Sequence, residues 1–168
     1  MRNRTTALMW MTGLALLAST SAAAAKVTVA ITPPSQSVHP GDPVVVTVAV
    51  SGLASGAAPS VGAFDLDVGF DGSLLQLTAV EIADALGDAG SGEAVAGSSA
   101  TADATTAYGV SSLSVAALDA RQTDAFTLVT LYFDALRPGT SPLSLQVAAL
   151  GDAFGDPLAA VVESGAVG

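Results

Sequence analysis

Short runs in which every second residue is apolar dominate this chain, and Gly, Pro, Ser and Asp separate them. A period of two is the signature of half-buried strands, whose side chains point alternately to opposite faces. Val27 to Ile31 alternates and stops at Pro33-Pro34, which cannot donate to a ladder. After a turn-forming stretch from Val38 to Pro43, Val44, Val46, Val48 and Val50 point one way, and Val45, Thr47, Ala49 and Ser51 the other. The most legible strand follows a small-residue loop over 52–59. In it Phe64, Leu66, Val68 and Phe70 share one face, while Ala63, Asp65, Asp67, Gly69 and Asp71 share the other. Asp71-Gly72 turns the chain into a further strand from Leu74 to Ile82.

Residues Leu86 to Ala107 are rich in Gly, Ala, Ser, Thr and Asp, and read as a long loop with one weak strand or helical turn around Glu93 to Ala96. Val110 to Leu118 predicts a strand with Leu113, Val115 and Ala117 inward. Phe126 to Phe133 is a well-formed strand, Arg137 to Thr140 a turn, and Leu143, Leu145 and Val147 alternate in the next. A closing pair runs from Ala148–Leu150 through a turn at Gly151–Asp156 to Leu158–Val162, with a last short segment at Ala166-Val167. No helical period appears after residue 25. About eight or nine short strands at this spacing predict an all-β fold, two antiparallel sheets packed face to face. The expected core is Val46, Val48, Phe64, Leu66, Val68, Phe70, Val129, Leu131 and Phe133.

Residues 1–25 read differently. Arg2 and Arg4 precede the apolar run Ala7 to Ala18, and Ser19 to Ala25 supplies small residues of the A-x-A kind. That layout predicts a secretory signal peptide cleaved after Ala25, the apolar run being too short to span a bilayer. Residues 26–168 would then form one domain outside the cytoplasm, and they hold no second apolar run of about 20 residues, hence no transmembrane segment. The single Trp, Trp10, lies in the leader.

Charge and chemistry narrow the function further. The 168 residues carry 15 acidic and 5 basic side chains, and with Arg2 and Arg4 removed the bases are Lys26, Arg121 and Arg137, so the charge is 3 − 15 = −12. A surface this acidic repels phosphate backbones and excludes nucleic acid as a partner. Without Cys there are no disulfides, thiolate zinc sites or thiol catalysis, and one His, His39, cannot build a multi-histidine metal site. His39 lies in a turn with no Ser and Asp tied to it by spacing, so no triad is expected. Asp65-x-Asp67-x-Gly69-x-Asp71 superficially matches the opening of a calcium loop, but its intervening residues are apolar and fit a strand instead. The carboxylates Asp84, Asp88, Glu93 and Asp103 solubilise a loop and offer at most weak calcium sites; no cofactor is expected. The chain reads as non-enzymatic. A carbohydrate-binding module is one alternative, weakened because residues 26–168 hold no Trp and only Tyr108 and Tyr132 for stacking on sugar rings. A structural surface or adhesin domain is another.

The order of pieces resembles the cohesin domain, the secreted module with which bacteria hold dockerin-bearing enzymes on scaffolding proteins. Pro40-Gly41-Asp42 ahead of a valine strand carries the resemblance, with Ala63 to Asp71 leading into Leu74, Leu75 and Leu77. Phe126 to Phe133 running into Gly139 to Leu143 adds to it, as do Gly151-Asp152, Asp156 and the closing Gly165 to Val167. It spans roughly Val27 to Gly168. The resemblance implies a nine-stranded jelly-roll sandwich and a dockerin-like protein partner docked on one flat sheet face, in the setting of extracellular polysaccharide degradation. It also implies a central aspartate on the strand before the aromatic-Asp turn. Asp65 occupies that place, and alternation independently sets it on the outer face beside Asp67. Tyr108 is similar to an aromatic that flanks the face. The departure lies at Ala116 to Ala120 (AALDA), where the family often carries larger hydrophobic residues and a carboxylate.

Overall fold

The computed structural model describes residues 26–168; the expected signal peptide lies outside them. Eleven strands, one short α-helix and a 3-10 turn at Asp84–Leu86 follow one another along the described residues. The strands and the helix are β1 (Val27–Thr32), β2 (Ser35–Gln36), β3 (Pro43–Ser51), β4 (Val61–Gly69), β5 (Leu75–Ile82), β6 (Ala94–Ala100), β7 (Ala104–Ser111), α1 (Val115–Arg121), β8 (Ala125–Ala135), β9 (Ser141–Asp152), β10 (Ala160–Glu163) and β11 (Gly165–Val167). One sheet has the order β10-β1-β3-β8-β5, the other β2-β11-β9-β4-β7-β6. The two pack face to face as a jelly-roll sandwich. The pairings are antiparallel except at two margins, where β10 runs parallel to β1 and β11 parallel to β2.

All nine residues expected in the core are buried there. The alternation holds along β3 and along β4 from Ala63 onward, with Val44, Val46, Val48 and Val50 facing Phe64, Leu66 and Val68 across the gap between sheets. Phe70 closes one end against Phe133, ring centroids 5.0 Å apart and planes 73° apart, the edge-to-face geometry aromatic pairs prefer.

Three expectations need correction. The stretch read as a long loop contains β6 and the first half of β7, and the count is eleven rather than about nine because β2 and β11 are only two and three residues long. Strand β7 escapes a hydrophobicity reading because its inward residues, Thr105, Ala107 and Gly109, are small. The bulk comes from the neighbouring strand: a Cβ on Gly109 would lie 2.7 Å from Phe64 Cε1, so the Phe64 ring fills that space. The third correction is the strand read over Val110 to Leu118. Strand β7 ends at Ser111, and α1 begins after Ser114, whose hydroxyl accepts from the Ala117 N–H as an N-cap. Within α1 Leu118 is buried, Val115 half-buried and Ala117 exposed, so one apolar contact seats a single short amphipathic turn.

Helix α1 fixes the beginning of β4. Strand β7 pairs with β4 only from Ala63 onward, which leaves the Val61 N–H and C=O without a strand on that side. Gln122, just after the helix, takes the place of the missing strand: its Oε1 accepts from Val61 N at 2.7 Å and its Nε2 donates to Val61 O at 2.8 Å. It donates to Ala85 O as well, and Ser60 Oγ donates to Asp119 at 2.8 Å. Gln122 is 4% exposed and Val61 fully buried, so these bonds satisfy groups that water cannot reach.

Candidate protein-binding face

The outer surface of β9-β4-β7-β6 follows from register. Asp65 lies opposite Tyr108 on β7 and Ala149 on β9, and Asp67 opposite Thr106 and Gln146. Tyr108 in turn lies opposite Gly97 on β6. The three residues expected at the site are thus adjacent on one face. Toward one end of it the row Val95, Val110 and Ala63 is apolar, with Val95 62% and Val110 51% exposed. Toward the other end Ser99, Thr106, Asp67 and Gln146 are polar. The face therefore grades from apolar to hydrogen-bonding across about 10–15 Å, three to four strand positions.

The two carboxylates differ in what they already hold. Asp67 Oδ1 accepts from Thr106 Oγ1 at 2.6 Å, a short charge-assisted bond. Asp65 Oδ1 is screened from solvent and has no hydrogen-bond partner among the described residues. A desolvated acceptor without a donor is costly, and it stands in the middle of the face. Tyr108 leans away from it. A Cβ on Gly97 would come within 2.7 Å of the Tyr108 hydroxyl and 2.9 Å of Cζ, so the ring lies down across β6 where glycine leaves room. The ring remains 44% exposed as a flat aromatic plate.

Thr106, Val95 and Gly97 were not singled out in the sequence because β6 and the first half of β7 read as loop, and Val110 was read as the start of a separate strand. The signal was there in Thr106, Tyr108 and Val110 at every second position. The segment Ala116 to Ala120, where the sequence departs from the cohesin pattern, belongs to α1 at the end of β4 and not to the face.

The remaining candidates fall elsewhere. Asp71 lies beyond β4 in a turn, its Oδ1 accepting from Ser73 N–H at 2.8 Å. Among the described residues no three His, Asp or Glu side chains are placed to hold a metal ion together. Glu93 and Asp84 meet Arg121, at 2.8 and 3.9 Å, in an exposed network. His39 is exposed in its turn beside Asp42. Tyr132 lies on the opposite sheet, half-buried, and donates its hydroxyl to Glu81 at 2.8 Å, so Tyr108 and Tyr132 cannot stack on one sugar chain together. No helix among the described residues is long and apolar enough to cross a membrane.

No protein-family model and no curated protein matches the sequence. Solved structures do match the fold. A type I cohesin–dockerin complex from Clostridium thermocellum aligns with TM-score 0.67 at 14% identity, over 84% of this chain and 97% of that one. The sixth cohesin of Acetivibrio cellulolyticus scaffoldin B, in complex with a dockerin, gives 0.68 at 18% identity over 84% and 97%. A non-cellulosomal cohesin from the archaeon Archaeoglobus fulgidus gives 0.62 at 13% identity over 85% and 90%. Aligned with these domains over 84–85% of its length at TM-scores of 0.62 to 0.68, the chain has the cohesin fold.

Proposed function

We propose that this chain is an exported, non-catalytic module that holds a dockerin-like protein on the outer face of β9-β4-β7-β6, with Asp65 at the centre of the contact. The observation that carries the reading is the uncommitted, desolvated oxygen of Asp65 in the middle of a strand-built face of a cohesin fold. A partner hydroxyl, amide or basic group would give that oxygen the donor it lacks once rotation of the Asp65 side chain brings it to the surface, and the ordering cost is small because the strand backbone is already fixed. The apolar row at Val95, Val110 and Ala63, with the Tyr108 ring next to it, would seat the partner's hydrophobic residues beside it. The charge of −12 on residues 26–168 would speed encounter with a basic partner and make association salt-dependent.

The polysaccharide setting belongs to the same proposal, resting on the resemblance rather than on the fold, since one of the matching structures is of a non-cellulosomal cohesin. The deciding experiment is a binding titration of the secreted protein against dockerin-bearing proteins of the same organism. Saturable one-to-one binding supports the reading, and absence of binding to every such protein defeats it. Retention on cellulose or chitin in place of protein binding would assign a carbohydrate module. N-terminal sequencing of exported material should begin at Lys26, and full-length chain confined to the cytosol would refute export.

A further inference from the structure

Among the described residues, strands β5 and β6 are the last strands of their respective sheets, each paired on one side only, and they face each other along one flank of the sandwich. Between them runs a groove made of three hollows of about 350, 290 and 350 Å³. The hollows are contiguous: the first two share Val80 and Ser98, the last two Leu77 and Ala100. Its floor is apolar, from the half-buried Leu77, Val80 and Ile82 of β5. Its β6 wall is low because Ala96, Ser98 and Ala100 are small.

The open edge of β6 has the groups to pair with another strand. Ser112 N–H donates to Glu93 O and Thr101 N–H to Ala104 O, so odd-numbered residues along β6 turn their backbone groups toward β7. The N–H and C=O of Ala96, Ser98 and Ala100 consequently point the other way, over the groove. Protected edges usually carry a Lys, a Pro, a bulge or an inward charge, and the seven residues of β6 carry none. At the N-terminal end of β6 the groove is flanked by the exposed carboxylates of Asp88 and of Asp84, the latter 3.9 Å from Arg121, and at the other end by the exposed Leu136.

The geometry points to a second binding site: the groove takes an extended peptide segment of another protein, added antiparallel to β6. Its alternate residues are apolar and its C-terminal end is basic. Antiparallel pairing places that C-terminal end beside Asp84 and Asp88. Side chains on one face of the added strand drop onto Val80 and Leu77, and the other face continues the surface that carries Tyr108. Charge selects this occupant over a second copy of the chain, because two bodies of −12 repel while a basic segment is attracted. The site is on a flank that the Asp65 contact does not use, so the two proposals stand or fall separately.

The probe is a fluorescent synthetic peptide as long as β6, alternating Val and Thr and ending in two lysines, titrated into residues 26–168 by anisotropy. Saturable binding is expected. Affinity should fall at least about tenfold when the lysines are replaced by glutamates, or when alternate peptide amides are N-methylated. Asp88→Asn should weaken the lysine peptide about threefold or more at low salt and leave a lysine-free peptide unchanged. Ser98→Pro removes one edge N–H where proline is tolerated, and should cost at least about tenfold in affinity with the melting temperature held. If that variant unfolds, the N-methylated peptide alone decides the matter. The proposal is overturned by no saturable binding at about 1 mM peptide, or by equal binding of the N-methylated peptide. It is also overturned by sedimentation showing a dimer that Ser98→Pro splits, which would make the occupant a second copy.

Discussion

Truncating Asp65 to Ala should move stability and binding in opposite directions. In the folded chain its Oδ1 is desolvated and has no donor, a condition that costs about 1–3 kcal/mol for a fully buried group and less for a half-buried side chain. Removing the carboxylate relieves that cost at the expense of few packing contacts, so stability should hold or rise by up to about 1 kcal/mol. Binding to a dockerin-like partner should weaken by about 1–3 kcal/mol, roughly 5- to 150-fold in Kd, because partner donors lose their acceptor. Asp67→Ala provides the contrast. It breaks a 2.6 Å bond with Thr106 inside the face, so it should cost about 0.5–1.5 kcal/mol of stability and reduce affinity less than Asp65→Ala does. Urea unfolding and calorimetric titration of the same three proteins read both quantities. If Asp65→Ala lost more than about 1 kcal/mol of stability and bound the partner with unchanged Kd, Asp65 would be a structural residue and the placing of the contact on this face would be wrong.

Phe70→Ala should destabilise by about 3–5 kcal/mol, since Phe70 is buried against Phe133 at 5.0 Å; a loss under about 0.5 kcal/mol in the same urea assay would contradict the inward face of β4 and its continuation. Gln122→Ala leaves the buried Val61 N–H and C=O unpaired and should cost about 2–4 kcal/mol, with a cost under about 0.5 kcal/mol refuting its role as a substitute strand. The Arg121 guanidinium bonded to Glu93, helped by the Asp88 N–H, holds the Glu93 carboxyl below its ordinary value of 4.5. A carboxyl depressed in the folded state stabilises fully above its unfolded value, and that contribution disappears as pH falls below it. Glu93→Gln should therefore flatten the fall in stability below about pH 4.5 and change little at neutral pH, where an exposed pair is worth little; identical acid limbs for the two proteins would count against the pairing.

What could be read without coordinates depended on side-chain size. Strands β3, β4 and β8 declare themselves because their inward positions are Val, Leu and Phe, whose bulk makes the period of two visible. Strand β7 is as regular as β4 in register, but its inward Thr105, Ala107 and Gly109 differ little in hydrophobicity from what surrounds them. The volume they lack is supplied by Phe64 on the adjacent strand, and complementarity between strands distant in sequence leaves no local trace. Helix α1 fails for another reason. Leu113, Val115 and Ala117 mimic strand alternation, while the helical evidence is an N-cap serine and one buried leucine over seven residues. Asp65 and Asp67 were legible because they alternate with large apolar residues. That Asp67 is committed to Thr106 and Asp65 is not could only emerge once β7 was seen to lie alongside.

The same economy of side-chain size explains how the outer face is built. A face that meets a rigid partner must be flat and fixed, and flatness requires small residues at most positions with backbone held by neighbours on both sides. Strands β4 and β7 are interior strands of their sheet, paired on each edge, so their outward residues stand on backbone that cannot bend away. Gly97 lets the one large aromatic, Tyr108, lie along the surface instead of rising from it. In the proposed docking the face contributes a plate, an apolar row and an unsatisfied acceptor, while the projecting anchors that dominate binding energy must come from the partner. Specificity then rests on whether a partner can bring a donor to Asp65 while its apolar residues cover Val95 and Val110 in the same pose. A partner that satisfies one condition without the other leaves either a buried charge unpaired or an apolar row in water, and both outcomes oppose association.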